Sequence, residues 1–206
     1  MVTTGIVNYG AGNLRSISNG LRKAGSEVRI LTMSSDIKLM DAIVLPGVGA
    51  FRDAINNLNE FIDPIKDAVN EGKTLLGICL GLQLLFTESE EGGLYQGMDL
   101  LPGRVIKLPD TVKIPQIGWN DLEIVKKDNP LFNGKFQITN GAFVYFVHSY
   151  YGDLKKEELI MAKTEYGITF PSVISDGLIF ATQFHPEKSG EVGLNMLENF
   201  VDFVKK

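Results

Sequence analysis

Three short runs of unbroken apolar residues constrain this chain more than anything else in it: GIV in GIVNYG near the start, AIVLP at 42–46 and TLLGI at 74–78. A strand with one face in water alternates apolar and polar residues. A run that does not alternate is buried on both faces, as the strands of a parallel sheet are. Helices must then cover both faces, and the intervening segments supply them. Leu14, Ile17 and Leu21 recur at helical spacing, with Asn13 as the expected N-cap and Gly25 as the expected left-handed terminator. After VRIL (28–31), a fourth strand candidate, the set Phe51, Ala54, Ile55, Leu58, Ile62, Ile65 and Val69 keeps the same rhythm, with Pro64 expected to restart the helix at a first-turn position. The first half reads as a doubly wound, mainly parallel α/β sheet flanked by helices.

The rhythm changes after about residue 93. RVIKL, LEIV, FVYFVHSY, ELIMAKT, SVIS and LIFATQF are shorter β-like pieces separated by Gly, Pro and Asp, and they predict an additional, smaller antiparallel layer. GEVGLNMLENFVDFVKK closes the chain as a helix, with Leu194, Leu197, Val201 and Val204 expected on its inner face. No repeat or linker interrupts the sequence, so residues 1–206 are expected to form one domain.

Composition narrows the partners. A formal net charge of -5 with no basic block argues against nucleic acid. The longest apolar stretch, 74–86, falls short of the roughly 20 residues that span a bilayer, and MVTTGIVNYG lacks the charged start of a secretory signal, so no membrane role is expected. A single cysteine excludes an internal disulfide and fits a reducing compartment, the cytoplasm being the expectation.

That cysteine, Cys79, lies in GICLG. Small residues on both sides of a nucleophile mark a strand-to-helix elbow, where the side chain stands clear of the backbone near a helix N-terminus. A buried spectator thiol fits GICLG alone equally well. Of the two histidines, His185 ends a strand-like segment and has Glu187 two residues on, in QFHPEK, so a carboxylate is at hand to orient it. His148 has only Asp153 nearby and reads as structural. Acyl chemistry also needs oxyanion donors. Gly47 and Val48 of PGVG, with the amide of Leu80, are the candidates, although a plain glycine-rich turn would explain PGVG as well. NYGAGNLRS lacks the third glycine of a dinucleotide fingerprint, no phosphate-loop motif occurs, and no histidine–acid cluster has metal-ligand spacing; the chemistry is expected to need neither metal nor cofactor.

GICLGLQLLF with the distant QFHPEKSG resembles the class I (triad) glutamine amidotransferases, which hydrolyse glutamine to glutamate and ammonia through a cysteinyl thioester. NYGAGNLRS, PGVGAF, KIPQIGWN (113–120) and YFVHSY (145–150) extend the resemblance from end to end and draw it towards the imidazole glycerol phosphate synthase branch of histidine biosynthesis. The resemblance implies L-glutamine as substrate, Cys79 as nucleophile, His185 as base and then acid, and Glu187 as its orienting partner. It also implies that Gln83, Glu91, Ser149 and Tyr150 hold the glutamine, Glu91 through its amino group. The resemblance further implies that Trp119, Asn120, Tyr145 and Lys188, in segments that in this family face a (β/α)8-barrel cyclase/synthase subunit, lie at a heterodimer interface with the subunit that receives the ammonia. Gly47–Val48 is the expected switched element. One departure is Asn8, where the family commonly has aspartate. Another triad amidotransferase, a cysteine peptidase or a non-catalytic protein of the same fold are the alternatives; PQIGWN and YFVHSY disfavour the first, the His-x-Glu spacing the second, and retention of all three triad residues the third.

Overall fold

A computed structural model describes residues 1–206. The apolar runs form β1 (Thr3–Val7), β2 (Glu27–Leu31), β3 (Ala42–Leu45) and β4 (Thr74–Ile78), all parallel, with α1 (Leu14–Lys23) and α2 (Phe51–Asn70) between them and the short α3 (Leu80–Leu84) after β4. Asn13 caps α1 as expected, its side chain accepting from the Ser16 amide at 3.1 Å. Pro64 does not restart α2. The helix runs through it unbroken, because Phe61, Ile65 and Ala68 keep the inner face buried across the missing hydrogen bond.

The second half contributes β5 (Phe86–Ser89), β6 (Tyr95–Gln96), β7 (Leu101–Lys107), β8 (Gln116–Asp121), β9 (Glu123–Ile124), β10 (Phe143–His148), β11 (Tyr150–Leu154), β12 (Ile160–Glu165), β13 (Thr169–Asp176), β14 (Ile179–Thr182) and α4 (Gly190–Val204). They do not all form a separate layer. The main sheet has the order β2-β1-β3-β4-β14-β13-β12-β9, so β14 (IFAT, fully buried) is a central parallel strand and β13, β12 and β9 extend the sheet antiparallel. The smaller sheet, β11-β7-β5-β6, begins already at Phe86 rather than near 93, and β8 pairs with β10 as a separate antiparallel ribbon.

Apolar cores cover both faces of the main sheet. Ile17, Leu21, Leu197 and Phe200 of α1 and α4 pack on one, and Phe51, Leu58 and Ile65 of α2 on the other. The inner face of α4 is rotated from expectation: Met196, Leu197, Phe200 and Val201 are buried, while Leu194 and Val204 are only partly covered. Asn199 explains the rotation. It is 1% exposed, and its side chain bonds Leu131 O, Phe136 O and the Phe136 amide at 2.7–2.9 Å, fixing the loop that precedes β10. No helix is long and apolar enough to cross a membrane.

Candidate active site

The candidate catalytic groups leave the carboxyl ends of three adjacent parallel strands. Leu45 of β3 registers against Gly77 of β4, and Ile78 against Thr182 of β14. The Cys79 amide donates to Thr182 O at 2.7 Å. Sheet register thus brings the elbow, the PGVG turn and the His-Pro-Glu loop to one edge, the edge at which open α/β sheets gather ligands.

Cys79 has φ 54° and ψ −107°, a left-handed conformation that costs a non-glycine residue on the order of 1–3 kcal/mol. Leu80, Leu82 and Leu84 are at most 2% exposed and each contribute about 1.5–3 kcal/mol of apolar burial, so the short α3 outweighs the strain. Backbone contact does the rest. A Cβ on Gly81 would lie 2.0 Å from Leu45 O, and one on Gly47 would lie 2.4 Å from Leu80 Cβ. The end of β3 is therefore pressed directly against the elbow.

The sulfur lies 3.5 Å from Val147 O and 3.7 Å from Gln183 Nε2. His185 Nδ1 is 2.8 Å from Glu187 Oε1, and both side chains are buried, 2% and 1% exposed. With Glu187 Oε1 accepting from Nδ1–H, the ring's other nitrogen, Nε2, which has no conventional partner in the chain, is turned towards Cys79. Burial disfavours the charged ring, but the hydrogen bonds and negative charges of Cys79 and Glu187 prevail, and His185 is pushed up to about 9. Ser189 Oγ donates to His185 O at 2.6 Å and accepts from the Tyr145 amide at 2.9 Å, while the His185 amide donates to Tyr145 O at 2.9 Å, so the loop is sewn to β10.

Cys79 opens into a cleft of about 260 Å³ lined also by Val48, Leu80, Gln83, Glu91, His148, Ser149 and Tyr150. The structure thus brings together every residue expected to hold glutamine. Gly47 is set apart, beneath the elbow rather than in the lining. Its neighbour Pro46 is tied from below: the Tyr9 hydroxyl of the NYGAGN segment donates to Pro46 O. Leu80 is the first residue of α3, where an amide has no intrahelical partner. Gln83 donates through Nε2 to Tyr150 O at 2.8 Å and to Gln183 Oε1 at 3.4 Å. Glu91 has a second occupation that the sequence did not reveal. Its Oε2 accepts from the Phe51 amide at 3.0 Å, capping α2, which has no capping side chain of its own. Half-burial raises the Glu91 carboxyl above its ordinary range.

His148 is structural in its contacts. It is 6% exposed, Nδ1 lies 2.9 Å from Tyr150 O and Nε2 lies 2.9 Å from the Gln116 amide, with Phe146 and Phe170 against the ring. Burial pushes it down to about 4, and the nearby His185 charge adds to the effect. A neutral ring has one N–H. Donated from Nδ1, it leaves Nε2 to accept from Gln116, which requires the NH2 of that amide to face the ring. Between pH 4 and 6.5 the unfolded chain binds a proton at this site that the folded chain does not, so stability rises with pH across this window, by about 3 kcal/mol in all. Denaturant unfolding at stepped pH is expected to show a shallower rise for His148→Gln than for the parent chain.

Of the four residues expected to face a partner, three meet. The Trp119 and Tyr145 rings pack edge to face with centroids 6.1 Å apart, and Lys188 Nζ sits 5.9 Å above the Tyr145 ring. Asn120 does not join them. Strand alternation points it to the other face of β8, where its Nδ2 donates to Glu165 O at 2.9 Å. Ile117 and Phe143, which the sequence reading missed, share the outward face instead and are 62% and 57% exposed. Period-two alternation in PQIGWND could have found the first of them.

The family model for glutamine amidotransferase class-I matches residues 5–203. The chain is 48% identical over 203 residues to the imidazole glycerol phosphate synthase subunit HisH of Caldanaerobacter subterraneus subsp. tengcongensis, the match covering 98% of each chain. It is also 48% identical to the HisH subunit of Archaeoglobus fulgidus, again over 98% of both. Among solved structures, PurLQS from Thermotoga maritima superposes with a TM-score of 0.80 at 20% identity, over 98% of this chain and 99% of that one, a likeness of fold. The chain belongs to the class I glutamine amidotransferases, in the branch of the imidazole glycerol phosphate synthase HisH subunits.

Proposed function

We propose that this chain is the glutaminase subunit of an imidazole glycerol phosphate synthase, hydrolysing L-glutamine and passing the ammonia to a (β/α)8-barrel cyclase/synthase subunit that makes imidazole glycerol phosphate and the AICAR nucleotide. The observation that carries the reading is the buried Cys79–His185–Glu187 array opening into the cleft, joined to the HisH relatives over nearly the whole chain. Cys79 gives its proton to His185 as the sulfur attacks the side-chain amide carbon of glutamine, and the developing oxyanion is received by the backbone amide of Val48 together with that of Leu80. His185, its charged ring steadied by Glu187, passes that proton to the nitrogen as the C–N bond breaks and ammonia departs. The same ring then takes a proton from water as the water attacks the thioester. Gln83, Glu91 and the Ser149–Tyr150 backbone orient the substrate.

Ammonia protonates in bulk water and is lost to a distant acceptor, so the glutaminase gains from a covered exit. The Ile117–Trp119–Tyr145–Phe143 face, with Lys188 beside it, supports docking here, since apolar and aromatic side chains this exposed fit a partner surface. Tyr9 and the elbow hold the Leu45–Gly47 end of the turn, and Gly49, at φ 131° with nothing within 4 Å of an added Cβ, leaves its other end open to reorientation. Coupling through this turn is tested by glutamate release from the purified chain, alone and with the barrel subunit plus its phosphoribulosyl substrate. Weak hydrolysis alone and a rise of at least about tenfold in the loaded complex are expected; full hydrolysis by the free chain contradicts the coupling.

A further inference from the structure

We infer that Gln183 is a catalytic residue of this glutaminase, a fixed hydrogen-bond donor to the Cys79 sulfur. The inference rests on Cys79 being the nucleophile. Gln183 opens the QFHPEK segment, is fully buried, and ends in an amide with two polar atoms to satisfy. Its Nε2 lies 3.7 Å from Sγ and its Oε1 3.4 Å from Gln83 Nε2. Gln83 fixes which way round the amide sits. One Gln83 N–H is given to Tyr150 O at 2.8 Å, leaving the other for Gln183. Flipping Gln183 would set two NH2 groups against each other and turn a carbonyl oxygen to the sulfur. From behind the cleft, Gln183 therefore aims an N–H at the nucleophile.

The sulfur needs that donor because of what else surrounds it. Val147 O, 3.5 Å away, accepts from an S–H and stabilises the neutral thiol. Once the proton moves to His185, the same oxygen faces a negative sulfur with nothing to accept. The Gln183 N–H then compensates, together with the imidazolium. The demand recurs in the second half of the reaction. Water adds to the thioester carbonyl, its proton goes to His185, and as the tetrahedral species collapses the C–Sγ bond breaks with its electron pair passing to sulfur. A donor already in place stabilises that leaving thiolate without reorganisation. A residue serving only to fill space between β14 and the His-Pro-Glu loop would not need an amide.

Gln183→Met keeps the volume and removes the donor; Gln183→Glu keeps an acceptor for Gln83 and puts an acceptor against the sulfur. The variants are compared in the assembled complex for glutamine kcat and KM, and as free chains for the rate of Cys79 alkylation by iodoacetamide against pH, with Cys79→Ala in parallel. In both variants kcat is expected to fall roughly 10- to 100-fold with KM within about threefold, the loss of one hydrogen bond to a charged group. Alkylation is expected to slow at neutral pH and recover at alkaline pH, which a packing defect would not produce. Folding is checked by thermal unfolding, and if Gln183→Met does not fold, the isosteric Gln183→Glu decides. Unchanged kcat and alkylation in a folded variant, or a rise confined to KM, overturns the inference. Turnover surviving in Cys79→Ala overturns the nucleophile reading instead.

Discussion

Cys79→Ala is expected to reduce glutamate release by the assembled enzyme on the order of 1,000-fold or more, because the thioester route closes and no other thiol exists in the chain. The fold is expected to survive. Alanine keeps the Cβ at φ 54° and removes only a sulfur whose contacts are two long hydrogen bonds. Synthesis supported by added ammonium salts should therefore persist, which separates loss of glutaminase chemistry from loss of assembly. His185→Ala is expected to be nearly as severe and not additive with Cys79→Ala, since the pair acts as one unit. His148→Ala is expected to be milder. That ring has its two nitrogens committed to Tyr150 and Gln116 and touches the chemistry only through the cleft wall.

Gly81→Ala is expected to destabilise the protein by more than about 4 kcal/mol, which for a domain of this size lowers the Tm by roughly 8–16 °C. The added methyl would lie 2.0 Å from Leu45 O and 2.8 Å from Leu45 C, backbone atoms of a fully buried central strand that have no rotamer to yield. Relief requires α3 to move off β3, and with it the elbow that aims the sulfur. Gly25→Ala is the control: nothing lies within 4 Å of its added methyl, and only the left-handed φ of 89° opposes it, at about 1 kcal/mol. Thermal unfolding of the two variants checks the difference. Equal, small shifts would mean that the elbow is not clamped by backbone contact.

The features that were legible in the sequence are those where physics leaves a local trace. Strands buried on both faces must be apolar throughout, and an elbow pressed against its neighbour must be glycine-flanked, so TLLGI and GICLG could be read directly. Long-range pairing leaves no such trace. IFAT looked like one more antiparallel piece, yet β14 lies beside β4 and is the reason His185 meets Cys79 at all. Asn199 and Glu91 were obscure for a related reason: each serves backbone groups far away in sequence, Phe136 and Phe51. Asn120 was grouped with Trp119 because a segment was carried over whole, whereas a strand sends alternate side chains to opposite faces, and Asn120 bonds Glu165 O instead of joining the Trp119–Tyr145 pair. Gln183 lay in plain view within QFHPEK, but its orientation follows from Gln83, and nothing local specifies that contact.

The central claim, that this chain hydrolyses glutamine through Cys79, is tested most directly by covalent trapping. The complex is incubated with a glutamine analogue bearing an electrophilic ketone at the side-chain amide position, then digested and examined by mass spectrometry. The account predicts one adduct, on the peptide containing Cys79, formed in step with loss of glutaminase activity and absent from Cys79→Ala. Complete loss of activity with the label on another residue, or with Cys79 unmodified, would contradict it.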